Sequence, residues 1–87
     1  MFYVYVLQSR KDGNFYTGFT SNLRKRMEEH FSGESFATKH RLPFELIYFE
    51  GHRSEKDAFA RERFLKTGWG RNYLHRVLKD SLSRKRE

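Results

Sequence analysis

A chain of 87 residues with no Cys, and four His at positions 30, 40, 52 and 75 in no metal-ligand spacing, makes one small domain. These counts exclude disulfide staples, zinc knuckles and thiol catalysis, and leave nine Phe, five Tyr and one Trp to supply much of a modest core. Lys and Arg exceed Asp and Glu by seven, clustering at 24–26, 39–41 and 84–86, so a polyanion, most often nucleic acid, is the expected partner. No apolar run approaches the ~20 residues of a membrane span and no signal peptide is evident. A cytoplasmic protein is therefore expected, with a monomer slightly favoured.

Phe2 to Gln8 mixes β-branched and aromatic residues, which is strand chemistry, with Tyr3, Tyr5 and Leu7 on one face and Phe2, Val4 and Val6 on the other. Asp12-Gly13 is a hairpin signal, and Phe15 to Thr20 returns as an antiparallel strand. That hairpin lets Tyr5 and Tyr16 point to the same side. Gly18 inside the strand marks close approach of a ligand or another backbone. Thr20-Ser21-Asn22 offers a helix cap, followed by Leu23, Met27, His30 and Phe31 at helical spacing, with Gly33 as a stop. Arg26 and His30 lie one turn apart and edge the same surface. Residues 33–42 read as a basic loop, and Phe44 to Phe49 as a third strand ended by Gly51.

Ser54, with Asp57 three residues on, starts a second helix that runs to about Thr67 and turns Ala58, Phe59 and Leu65 inward. Gly68-Trp69-Gly70 is expected to break it. A third helix then begins near Arg71 and carries Tyr73, Leu74, Val77, Leu78 and Leu82. The order is β-β-α-β-α-α, an α+β domain over residues 1–82 in which three helices flank a three-stranded antiparallel sheet. Residues 83–87 read as a charged, frayed tail.

Glu62 falls between the inward residues of the second helix. A carboxylate on a buried face costs several kcal/mol (~3 or more) unless a cation compensates, so an arginine partner or a metal ion is implied. Arg61 and Arg63 point elsewhere on the helix. One carboxylate suits Mg²⁺, which keeps several waters and takes phosphate oxygens as further ligands. Arg26 can meet a phosphate with its planar fork, whereas Arg24 and Lys25 fit a solvated helix face. His30 can donate to a phosphate or move a proton. Tyr5 and Tyr16 are core aromatics or, where cations depress their pKa, proton acceptors.

These residues resemble the GIY-YIG nuclease superfamily, and more closely its small stand-alone UPF0213 branch. The likeness rests on Tyr16-Thr17-Gly18, Asn22-Leu23-Arg24-Lys25-Arg26, Arg41-Leu42-Pro43-Phe44, Ala60-Arg61-Glu62 and Leu65-Lys66-Thr67-Gly68-Trp69, in that order and spacing. Tyr3 stands where the namesake motif has Gly, and Thr17 where it has Ile. The resemblance implies the GIY-YIG fold and a single-metal (Mg²⁺ or Mn²⁺) endonuclease acting on DNA, a domain that relatives use in DNA repair. It puts Tyr5 or Tyr16 as the base, Arg26 and His30 on the phosphate and Glu62 on the metal. It also makes Asn72, Lys39 and His40 polar site positions, and the basic residues Arg24, Lys25 and Arg41 complete the expected nucleic-acid surface. Two other functions compete: a non-catalytic nucleic-acid-binding module, and a nuclease half activated by a partner protein.

Overall fold

The structure, a computed structural model, describes residues 1–83; the basic cluster at 84–86 lies outside the described residues. Strand β1 (Phe2–Ser9) is central in an antiparallel sheet of order β2-β1-β3, with β2 spanning Phe15–Thr20 and β3 Phe44–His52. Helix α1 (Leu23–Phe31) covers one face, where Met27 packs with Tyr5, Leu7 and Phe44. Helices α2 (Glu55–Leu65) and α3 (Gly68–Val77) cover the other, where Ala58, Leu65 and Leu74 pack on Val4 and Val6. A short α4 (Lys79–Ser83) follows. The α+β architecture and the sheet agree with the sequence reading; among the described residues the helix count rises to four, with a 3₁₀ turn at Lys39–Arg41 inside the basic loop.

The β1–β2 turn is built by side chains. Gly13 takes φ +76, and the Lys11 and Asp12 amides donate to Ser9 Oγ at 3.1 and 3.2 Å. Ser9 Oγ in turn donates to the Arg41 carbonyl at 2.6 Å, and the Arg41 guanidinium holds Asp12 at 2.9 Å, so the 3₁₀ turn is tied to the hairpin. The Arg41 hydrogen bond keeps the Asp12 carboxyl at about 2.

Strand β3 departs from strict alternation. Val6 pairs with Tyr48 but Leu7 with Leu46, which leaves Ile47 as an extra residue. The bulge lets Ile47 and Tyr48 both pack toward α2 and α3, while Leu46 faces α1. The strand passes through Gly51 to His52, because Gly51 still pairs with Tyr3. Glu50 then fastens β3 to α2, accepting from Arg61 Nε at 2.7 Å and from His52 Nε2 at 2.9 Å.

Three helical details differ from expectation. Phe59, expected inward, is 47% exposed and meets Phe19 edge-on at the sheet margin. Val77 is likewise largely exposed. Gly68-Trp69-Gly70 opens α3 instead of preceding it: Thr67 is the cap, its Oγ1 accepting from the Gly70 amide at 3.1 Å. Gly70 is buried where a Cβ would run into the Phe64 carbonyl and the Leu65 backbone, so glycine here serves the tight α2–α3 approach.

Candidate active site

The hairpin register brings the two phenols together. Tyr5 pairs with Gly18 and Leu7 with Tyr16, so Tyr5, Leu7 and Tyr16 share the α1 face, with the tyrosine ring centroids 6.5 Å apart. A Cβ on Gly18 would lie 2.6 Å from Tyr5 Oη and 2.8 Å from its Cζ. What approaches Gly18 is thus neither ligand nor backbone but the Tyr5 ring, which lies across β2 because that residue has no side chain.

Helix α1 supplies the next two groups. Asn22 caps it, its Oδ1 accepting from the Lys25 amide at 3.1 Å, which sets the phase that carries His30 inward. His30 is not the helix-edge residue expected from spacing: it is 0% exposed, under both tyrosines, with ring centroids 5.5 Å from Tyr5 and 5.3 Å from Tyr16. Its Nε2 lies 2.8 Å from Tyr5 Oη and its Nδ1 2.8 Å from Thr38 Oγ1. Both ring nitrogens are occupied, so direct contact with a phosphate is closed to His30 in this arrangement. Burial, with help from the Arg26 charge, pushes the imidazole down to about 4, so the ring is neutral at pH 7. A neutral ring has one N–H and one bare nitrogen; it donates one of these bonds and accepts the other.

This has a measurable consequence. Because the folded pKa is below the ~6.5 of an unfolded histidine, the unfolded chain binds the extra proton first as pH falls. His30 therefore contributes stability that is fully present above about pH 6.5 and is lost toward pH 4, on the order of 3 kcal/mol across that window. Urea unfolding of wild type and of His30→Gln at a series of pH values should converge on acidification. Parallel curves over that range would refute a buried neutral His30.

Arg26 stands at the mouth. Its Nη1 holds Glu29 Oε1 at 2.7 Å and its Nη2 reaches Ser35 Oγ at 3.5 Å, with about a third of the side chain exposed. Its guanidinium is near enough to Tyr5 and Tyr16 for each phenol to favour its charged form. The Tyr5 phenol is pushed up to about 12: burial dominates, Arg26 opposes it, and Tyr16 and Glu62 add to it. The helix that carries Glu62 packs on the opposite face of the sheet, and the Tyr5 hydroxyl reaches toward the β2 edge over Gly18.

Glu62 is 12% exposed, and its partner is Lys66, one turn on, with Nζ 3.0 Å from Oε2. Arg61 and Arg63 do point away, the first to Glu50 and the second over the Phe59 ring. Among the described residues no group of three or more His, Cys, Asp or Glu could form a metal cage. The donor set therefore suits a hard cation that keeps most of its water and takes one carboxylate, not a tightly caged transition metal.

The remaining expected surface is scattered. Arg24 and Lys25 are exposed on α1, and Asn72 is exposed on α3. Lys39 lies over the exposed Phe36 ring at 4.8 Å, the His40 carbonyl accepts from Lys11 Nζ at 3.1 Å, and Arg41 is committed to Asp12. Residues absent from the sequence reading also matter. Thr38, 0% exposed, holds the far side of His30 from within a loop, where no periodicity betrays it. Glu29 and Lys66, by contrast, were legible as (i, i+3) and (i, i+4) partners of Arg26 and Glu62.

Comparison with known proteins agrees with this fold. A UPF0213 protein of Streptococcus pneumoniae (serotype 4) is 43% identical over 65 residues, 74% of this chain and 65% of the relative, so the match spans just under two thirds of that relative's length. A UPF0213 protein of Clostridium perfringens is 42% identical over 67 residues, covering 76% of this chain and 71% of its own. The solution NMR structure of a UPF0213 protein from Bacillus halodurans has a TM-score of 0.56 at 31% identity, over 88% of this chain and 85% of that one. A family model described as the GIY-YIG catalytic domain matches residues 1–73, and on these grounds the chain belongs to the GIY-YIG family, among its UPF0213 members.

Proposed function

We propose that this chain is a metal-dependent endonuclease that hydrolyses phosphodiester bonds in DNA. One observation carries the reading: the buried Tyr5 hydroxyl sits 2.8 Å from His30 Nε2, whose other ring nitrogen is held by Thr38, with the Tyr16 ring centroid 6.5 Å from that of Tyr5. A pure binding module has no physical use for a mostly buried carboxylate on a surface that must meet phosphate.

In this reading Arg26 leaves Glu29 to take the scissile phosphate with its planar fork, and Tyr16, only half-buried, lines the approach. Tyr5 is the proton acceptor. At rest its raised pKa keeps it a phenol, and Glu62 is one cause. Glu62 would hold a divalent cation such as Mg²⁺ or Mn²⁺, which when bound would supply positive charge that offsets the phosphate and favours the ionised form of a nearby phenol. His30 then stabilises the phenolate without being charged: the Thr38 hydroxyl donates to Nδ1 and the Nε2–H donates to Tyr5 Oη, the tautomer opposite to the one that serves the phenol. The Tyr5 phenol first loses its proton to solvent, and the phenolate oxygen then takes a proton from water as the water oxygen bonds to phosphorus. The P–O ester bond opposite breaks, and its oxygen is protonated by solvent.

The test is a cleavage assay on single-stranded, duplex, flap and branched DNA with Mg²⁺ or Mn²⁺. Cleavage that EDTA abolishes is expected. Binding without cleavage on every substrate and with either metal would instead favour the non-catalytic module.

A further inference from the structure

Beside the candidate site runs a groove of about 550 Å³ that the sequence reading did not anticipate. It lies between the β2 edge and the α2–α3 junction, walled by Phe15, Tyr16, Lys66, Arg71 and His75. Its chemistry is one-sided. Among the described residues the lining contains no carboxylate, while Lys66 and Arg71 bring two cations. Arg71 is exposed and its Nη1 reaches only the Lys66 carbonyl, at 3.4 Å. Phe15 and His75 form a stacked pair from β2 and α3, ring centroids 5.3 Å apart and planes 26° apart. The groove is joined to the candidate site through two of its lining residues: Tyr16 belongs to both, and Lys66 Nζ is 3.0 Å from Glu62.

We infer that this groove holds an unpaired segment of nucleic acid next to the scissile phosphate, with Lys66 and Arg71 on its phosphates and a base stacked on the Phe15–His75 pair. The inference rests on the proposed nuclease reading for its position relative to cleavage, but its binding chemistry is independent of it. Cations along a backbone path with interleaved aromatic rings are the elements of single-strand binding, since every base has a face to stack and every phosphate a charge to meet. The volume is in the range that encloses a small organic ligand and so admits a nucleotide, and a base has to be unpaired for its face to reach the Phe15–His75 pair. The substrate it selects is therefore a junction, flap or end with an unpaired strand rather than an uninterrupted duplex.

The test separates binding from catalysis. Fluorescence anisotropy in EDTA would follow labelled oligothymidylate, oligouridylate and a blunt duplex on wild type, Arg71→Ala, Arg71→Lys and His75→Ala, with Lys79→Ala as a control outside the groove. Arg71→Ala should weaken single-strand binding and flatten the slope of log affinity against log salt by about 0.7, as for one lost phosphate contact, and Arg71→Lys should restore the slope. His75→Ala should weaken single-strand binding on the order of tenfold with the salt slope unchanged, since stacking releases no counterion. Duplex binding should barely move, and the thymidylate and uridylate arms identify the sugar preferred. Wild-type affinity for both single strands in both alanine variants, or equal loss on the duplex, would overturn the groove. If wild type cuts nothing yet the variants lose single-strand affinity, the nuclease reading fails and the groove stands. If wild type cuts and the variants bind normally, the reverse holds.

Discussion

Glu62→Ala is expected to remove metal-dependent cleavage, by roughly 10³-fold or more, while nucleic-acid binding survives or tightens. The size follows from the charge the cation contributes, several kcal/mol at about 1.4 kcal/mol per decade. Binding is spared for a simple reason: a negative charge facing phosphate has gone, and Lys66, released from its 3.0 Å contact, becomes available to the strand. The fold should tolerate the change, since Lys66 is about half-exposed and such a helical pair contributes on the order of 0.5 kcal/mol. Glu62→Gln keeps the shape and loses only the charge, so it should be as inactive as the alanine variant. Single-turnover cleavage with saturating enzyme measures this directly. Cutting at the wild-type rate by either variant would remove Glu62 from the chemistry.

The parts of this molecule that were legible in the sequence are those governed by local chemistry. Asp12-Gly13 turned the hairpin, Asn22 and Ser54 capped their helices, and alternation in β1 sorted Tyr5 and Leu7 from Val4 and Val6. Glu62 stood out because a carboxylate on a mostly apolar face is costly wherever the helix lies. What stayed hidden depends on how elements meet. Gly70 reads as a breaker until α2 and α3 close on it, at which point only a glycine fits between Phe64 and Leu65. His30 reads as a margin residue because helical phase does not say how deeply a helix sinks into the sheet, and Thr38 is invisible until a loop folds under that ring. The same is true of the groove. Phe15 and His75 are sixty residues apart, and nothing short of the docking of α3 beside β2 stacks them.

Tyr5→Phe should cost about 10²- to 10⁴-fold in the rate of cleavage, the range for a positioned general base, although it removes a single oxygen. The two phenols are not equivalent here. Tyr5 is 1% exposed and has the partners a phenolate needs, His30 Nε2 at 2.8 Å and the Arg26 charge, whereas Tyr16 is half-buried and lines the substrate groove. Tyr16→Phe should therefore act mainly through substrate affinity, with a smaller fall in the chemical rate. Gly18→Ala offers a third view of the same oxygen: its new methyl would fall 2.6 Å from Tyr5 Oη and push the ring off His30, giving a Tyr5→Phe-like loss with both phenols intact. The pH profile separates a proton acceptor from a structural ring. The Tyr5 phenol lies well above neutral pH at rest, so the wild-type rate should climb tenfold per pH unit until that phenol titrates in the metal-loaded enzyme. Residual cutting by Tyr5→Phe should lose that climb, and Tyr16→Phe should retain it. A dead Tyr16→Phe beside an unimpaired Tyr5→Phe would move the base to Tyr16, and normal cutting by both would mean that no tyrosine activates the water.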